Sequence, residues 1–210
     1  MTSECVGMSG ATGFIGRHAT EALKAAGLNV IRFSRDTQQN SDGQVRYFDL
    51  CGEHSDHIEL DDVTTFLHLA GNAHGKYKPG HSSYELQGLK RLLRNIAAAG
   101  VKNFIYVSSA AVYGKSYSTD AVTVSDAPFA VSSYGYTKIR CEKLVSEFCL
   151  QQGISFTIVR IPLVIGFDAP GNLATLKNIL SRRLPLPLKY IKNSRSVVHI
   201  DTFCNFLINQ

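Results

Sequence analysis

Apolar and polar positions alternate along the chain with two different periods. Asn29 to Ser34, Thr64 to Leu69, Asn103 to Ser108 and Ser155 to Arg160 are short runs rich in β-branched, aromatic and leucine residues, the composition of buried strands. A further run, Cys5 to Ser9, stands ahead of them and contains Gly7, which as a strand glycine is expected to remove packing and weaken the element. Helical-period segments lie between. Ile15, Ala19, Ala22, Leu23 and Ala26 share one face that stops at Gly27, and Leu86, Leu89, Leu92, Leu93, Ile96 and Ala97 share another that stops at Gly100. Leu144, Val145 and Phe148 supply a third, ending at Gly153. Strands that alternate with helices predict an α/β fold with a parallel sheet.

After Arg160 the texture changes. Pro162, Gly166, Pro170, Gly171, Pro185 and Pro187 break the chain into loops around one predicted helix, residues 173–183. The chain therefore divides into residues 1–160, an alternating α/β domain, and residues 161–210. The last residues, Ile208-Asn209-Gln210, follow an apolar run with no helix stop, so the second region reads as an incomplete C-terminal part.

Composition narrows the class without choosing a function. Hydrophobic residues at 44%, charged residues at 19% and 17 Gly against 6 Pro describe an ordinary globular protein. No apolar stretch reaches the roughly 18 residues of a membrane span, and the N-terminus lacks a signal-peptide pattern, so a cytoplasmic protein with no membrane partner is expected. The five cysteines are odd in number and form no C-x-x-C, which argues for reduced thiols rather than disulfides or zinc ligation. The net charge of +5 is modest, the basic residues are scattered, and no nucleic-acid partner is expected. His54, Asp56, His57, Asp61 and Asp62 read as a solvated loop, so no metal site is assigned. His68, among apolar neighbours, reads as a core or pocket-wall residue.

Two constellations carry chemistry. Gly10-Ala11-Thr12-Gly13-Phe14-Ile15-Gly16 joins the first strand to the first helix, where glycines permit a tight turn and a pyrophosphate can sit on the N–H groups of a helix N-terminus. The second strand ends Phe33-Ser34-Arg35, with no carboxylate at Ser34 to accept ribose hydroxyls and a guanidinium suited to a phosphate, which favours NADP(H) over NAD(H). Further on, Tyr134 and Lys138 stand at i and i+4 on one helix face, where an ammonium beside a phenol stabilises the phenolate and makes a general acid or base. Ser109 lies at the C-terminal end of a strand, where open α/β sheets bind ligands.

Taken in order, these segments resemble the extended short-chain dehydrogenase/reductase family, especially its NAD(P)-dependent nucleotide-sugar epimerases, dehydratases and reductases. The resemblance runs over nearly the whole chain and implies a Rossmann-type doubly wound sheet with an incomplete substrate-binding region. It also implies that Gly10, Gly13, Phe14, Ile15, Gly16 and Arg35 hold the cofactor, with Asp49 and Leu50 at the adenine edge and Leu69, Ala70 and Gly71 lining it. Ser109, Tyr134 and Lys138 would be catalytic, Ser109 orienting the sugar and Lys138 also reaching the nicotinamide ribose. Asn172 and Leu173, in Gly171-Asn172-Leu173, and Arg195, in Arg195-Ser196-Val197-Val198-His199-Ile200-Asp201, would bind the substrate nucleotide.

Three positions depart from the UDP-galactose 4-epimerase pattern. Glu85 replaces a supporting asparagine, Ala73 a cofactor-contacting lysine, and Leu163 an asparagine near the substrate phosphates. These favour subfamilies acting on other nucleotide sugars, including 4-keto-sugar reductases of polysaccharide precursor synthesis. The family's two-helix dimer contact implies a homodimer through the segments around Leu86–Ile96 and Leu144–Phe148. Competing readings are a cofactor-binding protein without turnover, a redox-sensing module, and a carbonyl reductase for small nonsugar substrates.

Overall fold

The computed structural model describes residues 4–38, 42–52, 57–71, 81–114, 121–183 and 194–210. Six parallel strands form one sheet: β1 (Cys5–Ser9), β2 (Asn29–Ser34), β3 (Val45–Tyr47), β4 (Thr65–His68), β5 (Asn103–Ser109) and β6 (Ser155–Ile161). Their spatial order, β3-β2-β1-β4-β5-β6, is that of a Rossmann-type sheet. Helices α1 (Phe14–Ala25), α2 (His81–Ala98) and α3 (Ser133–Gln152) cross between strands. The winding reverses between β1 and β4, which opens a crevice at their C-terminal ends.

Both faces of the sheet are covered, which is why the strand runs are continuously apolar rather than alternating. Phe33, Phe66, Phe104 and Tyr106 pack with Leu89, Leu92, Leu93, Ile96, Cys141 and Val145 of α2 and α3. Met8, Val30, Leu67 and Ile105 face the other way, against Ala19 and Leu23 of α1. Gly7 does not weaken β1, whose five residues are all buried. A Cβ there would stand 2.9 Å from Phe66 and 3.2 Å from Phe33, so glycine makes room for these two rings, which meet at 5.2 Å between centroids.

Beyond the sheet, β7 (Leu163–Ile165) and β8 (Val197–His199) pair in parallel, with α4 (Asn172–Ser181) between them in sequence. The terminal apolar run is α5 (Ile200–Ile208), started by His199, whose Nδ1 accepts from the Asp201 N–H at 3.3 Å, and ended at Asn209. Ile200, Phe203, Cys204 and Leu207 lie at helical spacing and join the α1 side of the core. The apolar positions of α2 and α3 that suggested a dimer are taken up inside the chain: Leu89, Leu92, Leu93, Ile96 and Val145 are buried, and Leu86, Leu144 and Phe148 pack against them. The exposed positions of these helices include Lys90, Arg94, Arg140 and Lys143.

Candidate functional site

The glycine loop sits at the crevice. Gly10 has φ +77°, and a Cβ on it would lie 2.7 Å from the Ala70 nitrogen on the exit of β4. The turn closes when the Gly13 N–H donates to the Gly10 carbonyl at 3.1 Å. Gly16 is required by close approach, since its Cβ would stand 2.2 Å from that same carbonyl. Gly13 differs from both. It is exposed, its Cβ would meet nothing nearer than 3.4 Å, and it starts α1 with neither a side-chain cap nor an acidic residue in the first turn. An exposed helix N-terminus with its backbone donors uncapped by a side chain fits an anionic pyrophosphate. The side chains of Phe14 and Ile15 turn to the protein instead: both pack on the core, and Phe14 meets the His18 ring edge-on at 5.2 Å.

The second strand delivers Arg35 to an exposed position. Next to it, the Asp36 carboxylate is engaged in its own turn, accepting from the Gln38 N–H at 2.9 Å. The Asp49–Gly52 loop is clamped to α2. Gly88 permits this, since a Cβ there would fall 1.7 Å from the Leu50 carbonyl oxygen. Arg91 then donates to the Leu50 carbonyl at 3.4 Å and to that of Gly52. Burial raises the Cys51 thiol, with Asp49 and Glu85 acting in the same direction and Arg35 and Arg91 opposing.

The catalytic candidates converge at the ends of β4 and β5. Ser109 closes β5 and caps the 3₁₀ turn Ala110–Tyr113, its Oγ accepting from the Ala111 N–H at 3.2 Å. Ser132 caps α3 by accepting from the Gly135 N–H at 3.1 Å. Gly135 brings α3 onto the 3₁₀ turn, because a Cβ on it would lie 2.5 Å from the Ala111 carbonyl. Tyr134 thus stands against the segment that Ser109 begins. One turn on, the buried Lys138 Nζ lies 5.8 Å from the Tyr134 ring centroid, 3.1 Å from Glu85 Oε1 and 3.2 Å from the Tyr106 hydroxyl. Gly71, after β4, leaves room for this group: its Cβ would sit 2.9 Å from Lys138 Nζ.

Buried neutral groups surround that ion pair. His68 is buried, stacked on Tyr106 at 5.7 Å with Nδ1 2.7 Å from Ser9 Oγ. Burial, assisted by the Lys138 charge, holds its imidazole down to about 3. Burial pushes the Tyr106 phenol well above its ordinary value and the Cys141 thiol up to about 11.

A second network lies behind Ser109. Glu142, one turn past Lys138, accepts from Ser108 Oγ at 2.5 Å and from Arg160 at 2.8 Å, while Arg160 also donates to the Tyr113 hydroxyl at 2.9 Å. On the far side of the glycine loop, Asp168 accepts from Arg17 at 2.9 Å and lies 2.8 Å from His18. Tyr106, Glu142, Arg160 and Asp168 escape sequence reasoning, although the i+4 step from Lys138 to Glu142 was a usable signal. Asn172 begins α4, a helix with no buried residue, and both Asn172 and Arg195 are exposed. Leu173 is partly buried.

Ala73, His54, Asp56, Pro185 and Pro187 lie outside the described residues; His57, Asp61 and Asp62 are exposed. Among the described residues no helix is long and apolar enough to cross a membrane, and no cluster of three metal-ligating side chains occurs. All five cysteines are free thiols.

Residues 6–208 match the NAD dependent epimerase/dehydratase family. A UDP-glucose 4-epimerase of Vibrio cholerae is 24% identical over 96% of this chain and 64% of its own length. A CDP-abequose synthase of Salmonella typhimurium is 27% identical over 80% of this chain and 55% of its own. The chain thus spans less than two thirds of the length of both relatives. Among solved structures, the UDP-glucose 4-epimerase of Thermus thermophilus in complex with NAD superposes with a TM-score of 0.80 at 23% identity, over 96% of this chain and 72% of that one.

Proposed function

The chain belongs to the NAD dependent epimerase/dehydratase family, and on that premise we propose that it acts on a nucleotide-activated sugar, by epimerisation at C4 or by reduction of a 4-keto group. The observation that carries this reading is the packing of the start of α3, which bears Tyr134 and Lys138, on the 3₁₀ turn that Ser109 caps at the C-terminal end of β5, in the same sheet whose β1 leads to the uncapped start of α1.

Each residue then has a task. Gly13 and the first turn of α1 hold the pyrophosphate of the dinucleotide, and Asp49 with Leu50 borders the adenine. Arg35, exposed directly after β2, supports NADP(H) over NAD(H) within this NAD-dependent family, because a guanidinium complements a ribose phosphate. Bound cofactor supplies hydride transfer at C4 of its nicotinamide. Ser109 donates to the sugar oxygen and fixes its orientation. Tyr134 gives a proton to that oxygen or takes one from it, while the Lys138 ammonium supports the phenolate electrostatically. Asn172, Leu173 and Arg195 are assigned to the sugar nucleotide, with residues 161–210 as the substrate-side region. A cytoplasmic homodimer is kept in this reading on the family resemblance alone, since the apolar positions of α2 and α3 are buried within the chain, and sedimentation of the purified chain tests it.

Product analysis separates the two outcomes. Net oxidation of NADPH with a 4-keto sugar identifies the reductase, and sugar conversion without net oxidation identifies the epimerase. Cofactor binding with no response to any sugar would instead favour the competing reading of a cofactor-binding protein without turnover.

A further inference from the structure

Glu85 occupies a place where the resembled epimerases carry an asparagine, and the structure shows what it meets there. Its carboxylate, only 2% exposed, pairs with Lys138, 4% exposed, at 3.1 Å. Among the described residues, the titratable groups facing Lys138 are Glu85 from α2, His68 from β4, Tyr106 from β5, and Tyr134 and Cys141 from α3. His68, Tyr106 and Cys141 are neutral near pH 7 for the reasons given above. Among the described residues the buried ion pair of the cluster is Lys138 with Glu85, and an asparagine in place of Glu85 would remove the negative charge that opposes Lys138. Gly71, at the cofactor-lining exit of β4, touches both partners: its Cβ would lie 2.9 Å from Lys138 Nζ and 3.3 Å from Glu85 Oε1.

An oxidised nicotinamide ring carries a positive charge and the reduced ring does not, so the net charge of the adjoining protein discriminates between them. We infer that Glu85 sets the preference of this site for the oxidised over the reduced dinucleotide, by cancelling the Lys138 charge beside the nicotinamide end. Glu85 is in this sense a specificity-determining residue that acts through the site's field rather than by contact with the reacting atoms. The inference rests on the cofactor assignment above but not on the identity of the sugar.

The test is direct binding of NADP+ and NADPH, and of NAD+ and NADH, to the full chain and to Glu85→Gln, without sugar. Glu85→Gln is expected to weaken the oxidised form relative to the reduced form by on the order of tenfold, the scale of one unit charge roughly 12 Å away at an effective dielectric near 20. Glu85→Asp keeps the charge and should keep the ratio near that of the parent. Glu85→Asn, the residue of the resembled epimerases, should repeat the Gln result and serves if Gln does not fold. An unchanged ratio in the neutral variants, or equal loss of both forms, overturns the inference while leaving the functional reading intact. Failure of the parent chain to bind either form would overturn the functional reading itself, and the inference with it.

Discussion

Glu142 on α3 and Arg160 on β6 form a forked ion pair, with Nε 3.1 Å from Oε1 and Nη2 2.8 Å from Oε2. The pair ties α3 to the strand beside Ser108, and the carboxylate holds the guanidinium protonated well above its ordinary range. Removing one partner leaves the other charge buried or nearly so, at a cost of about 3–5 kcal/mol for a fully buried pair. Arg160 keeps 21% of its side chain exposed, so Glu142→Gln is expected to cost about 2–3 kcal/mol in urea unfolding. An unchanged midpoint would show the pair to be incidental.

Two glycines of one loop should fail in different ways. Gly16→Ala pushes a methyl into the Gly10 carbonyl and should destabilise the fold by about 2 kcal/mol or more. Gly13→Ala meets no such contact and, as a glycine-to-alanine change at the N-cap of α1, should cost about 1 kcal/mol or less. Its methyl would still occupy the approach of a pyrophosphate, so cofactor affinity should fall by roughly tenfold or more, about 1.4 kcal/mol. Thermal melts and cofactor titrations of both variants check this; parallel behaviour would contradict it.

His68 gives the fold a defined acid sensitivity. Its folded value of about 3 lies below the ordinary value of 6.5, so the neutral form is favoured in the folded protein. The stabilisation is complete above pH 6.5 and is lost as pH falls toward 3, because the unfolded chain takes up the proton first. Between pH 7 and pH 5 this one group should account for about 2 kcal/mol of lost stability. His68→Gln should lose correspondingly less over that interval in paired urea titrations, whatever its stability at pH 7. An equal loss would show that His68 is not the group responsible.

Much of this was legible in the sequence, for identifiable reasons. Five of the six sheet strands were found within a residue or two of their ends, since burial on both faces makes them unbroken apolar runs. The three-residue strands β3, β7 and β8 are too short to show a period, and α5 was missed because its capping residue, His199, is an unusual one. Gly7 was misjudged, because a glycine that admits Phe33 and Phe66 reads locally like any strand glycine. The loop and the Tyr134–Lys138 pair were found by local spacing. Glu85, Tyr106 and Arg160 lie 53, 32 and 18 residues from the α3 side chains they meet, and only the fold brings such separated positions together.

Arg35 should decide between the two dinucleotides. Arg35→Ala is expected to weaken NADPH binding by about tenfold, the scale of one lost charged hydrogen bond, and to leave NADH nearly unchanged. Equal effects on both would remove Arg35 from the ribose phosphate.

Tyr134→Phe should abolish turnover while leaving cofactor affinity nearly intact, because the ring and Lys138 stay in place and only the transferable proton is lost. Progress curves and cofactor titration on the same preparation check this, and a near-native rate would take Tyr134 out of the mechanism.

The most direct test of the central claim is titration of the purified chain with NADPH and NADH, with and without a panel of UDP- and dTDP-sugars, followed by nicotinamide fluorescence. The account predicts saturable cofactor binding, tighter for NADPH, and a change in signal when one class of nucleotide sugar is added. Absence of cofactor binding, or binding indifferent to every sugar nucleotide, would contradict it.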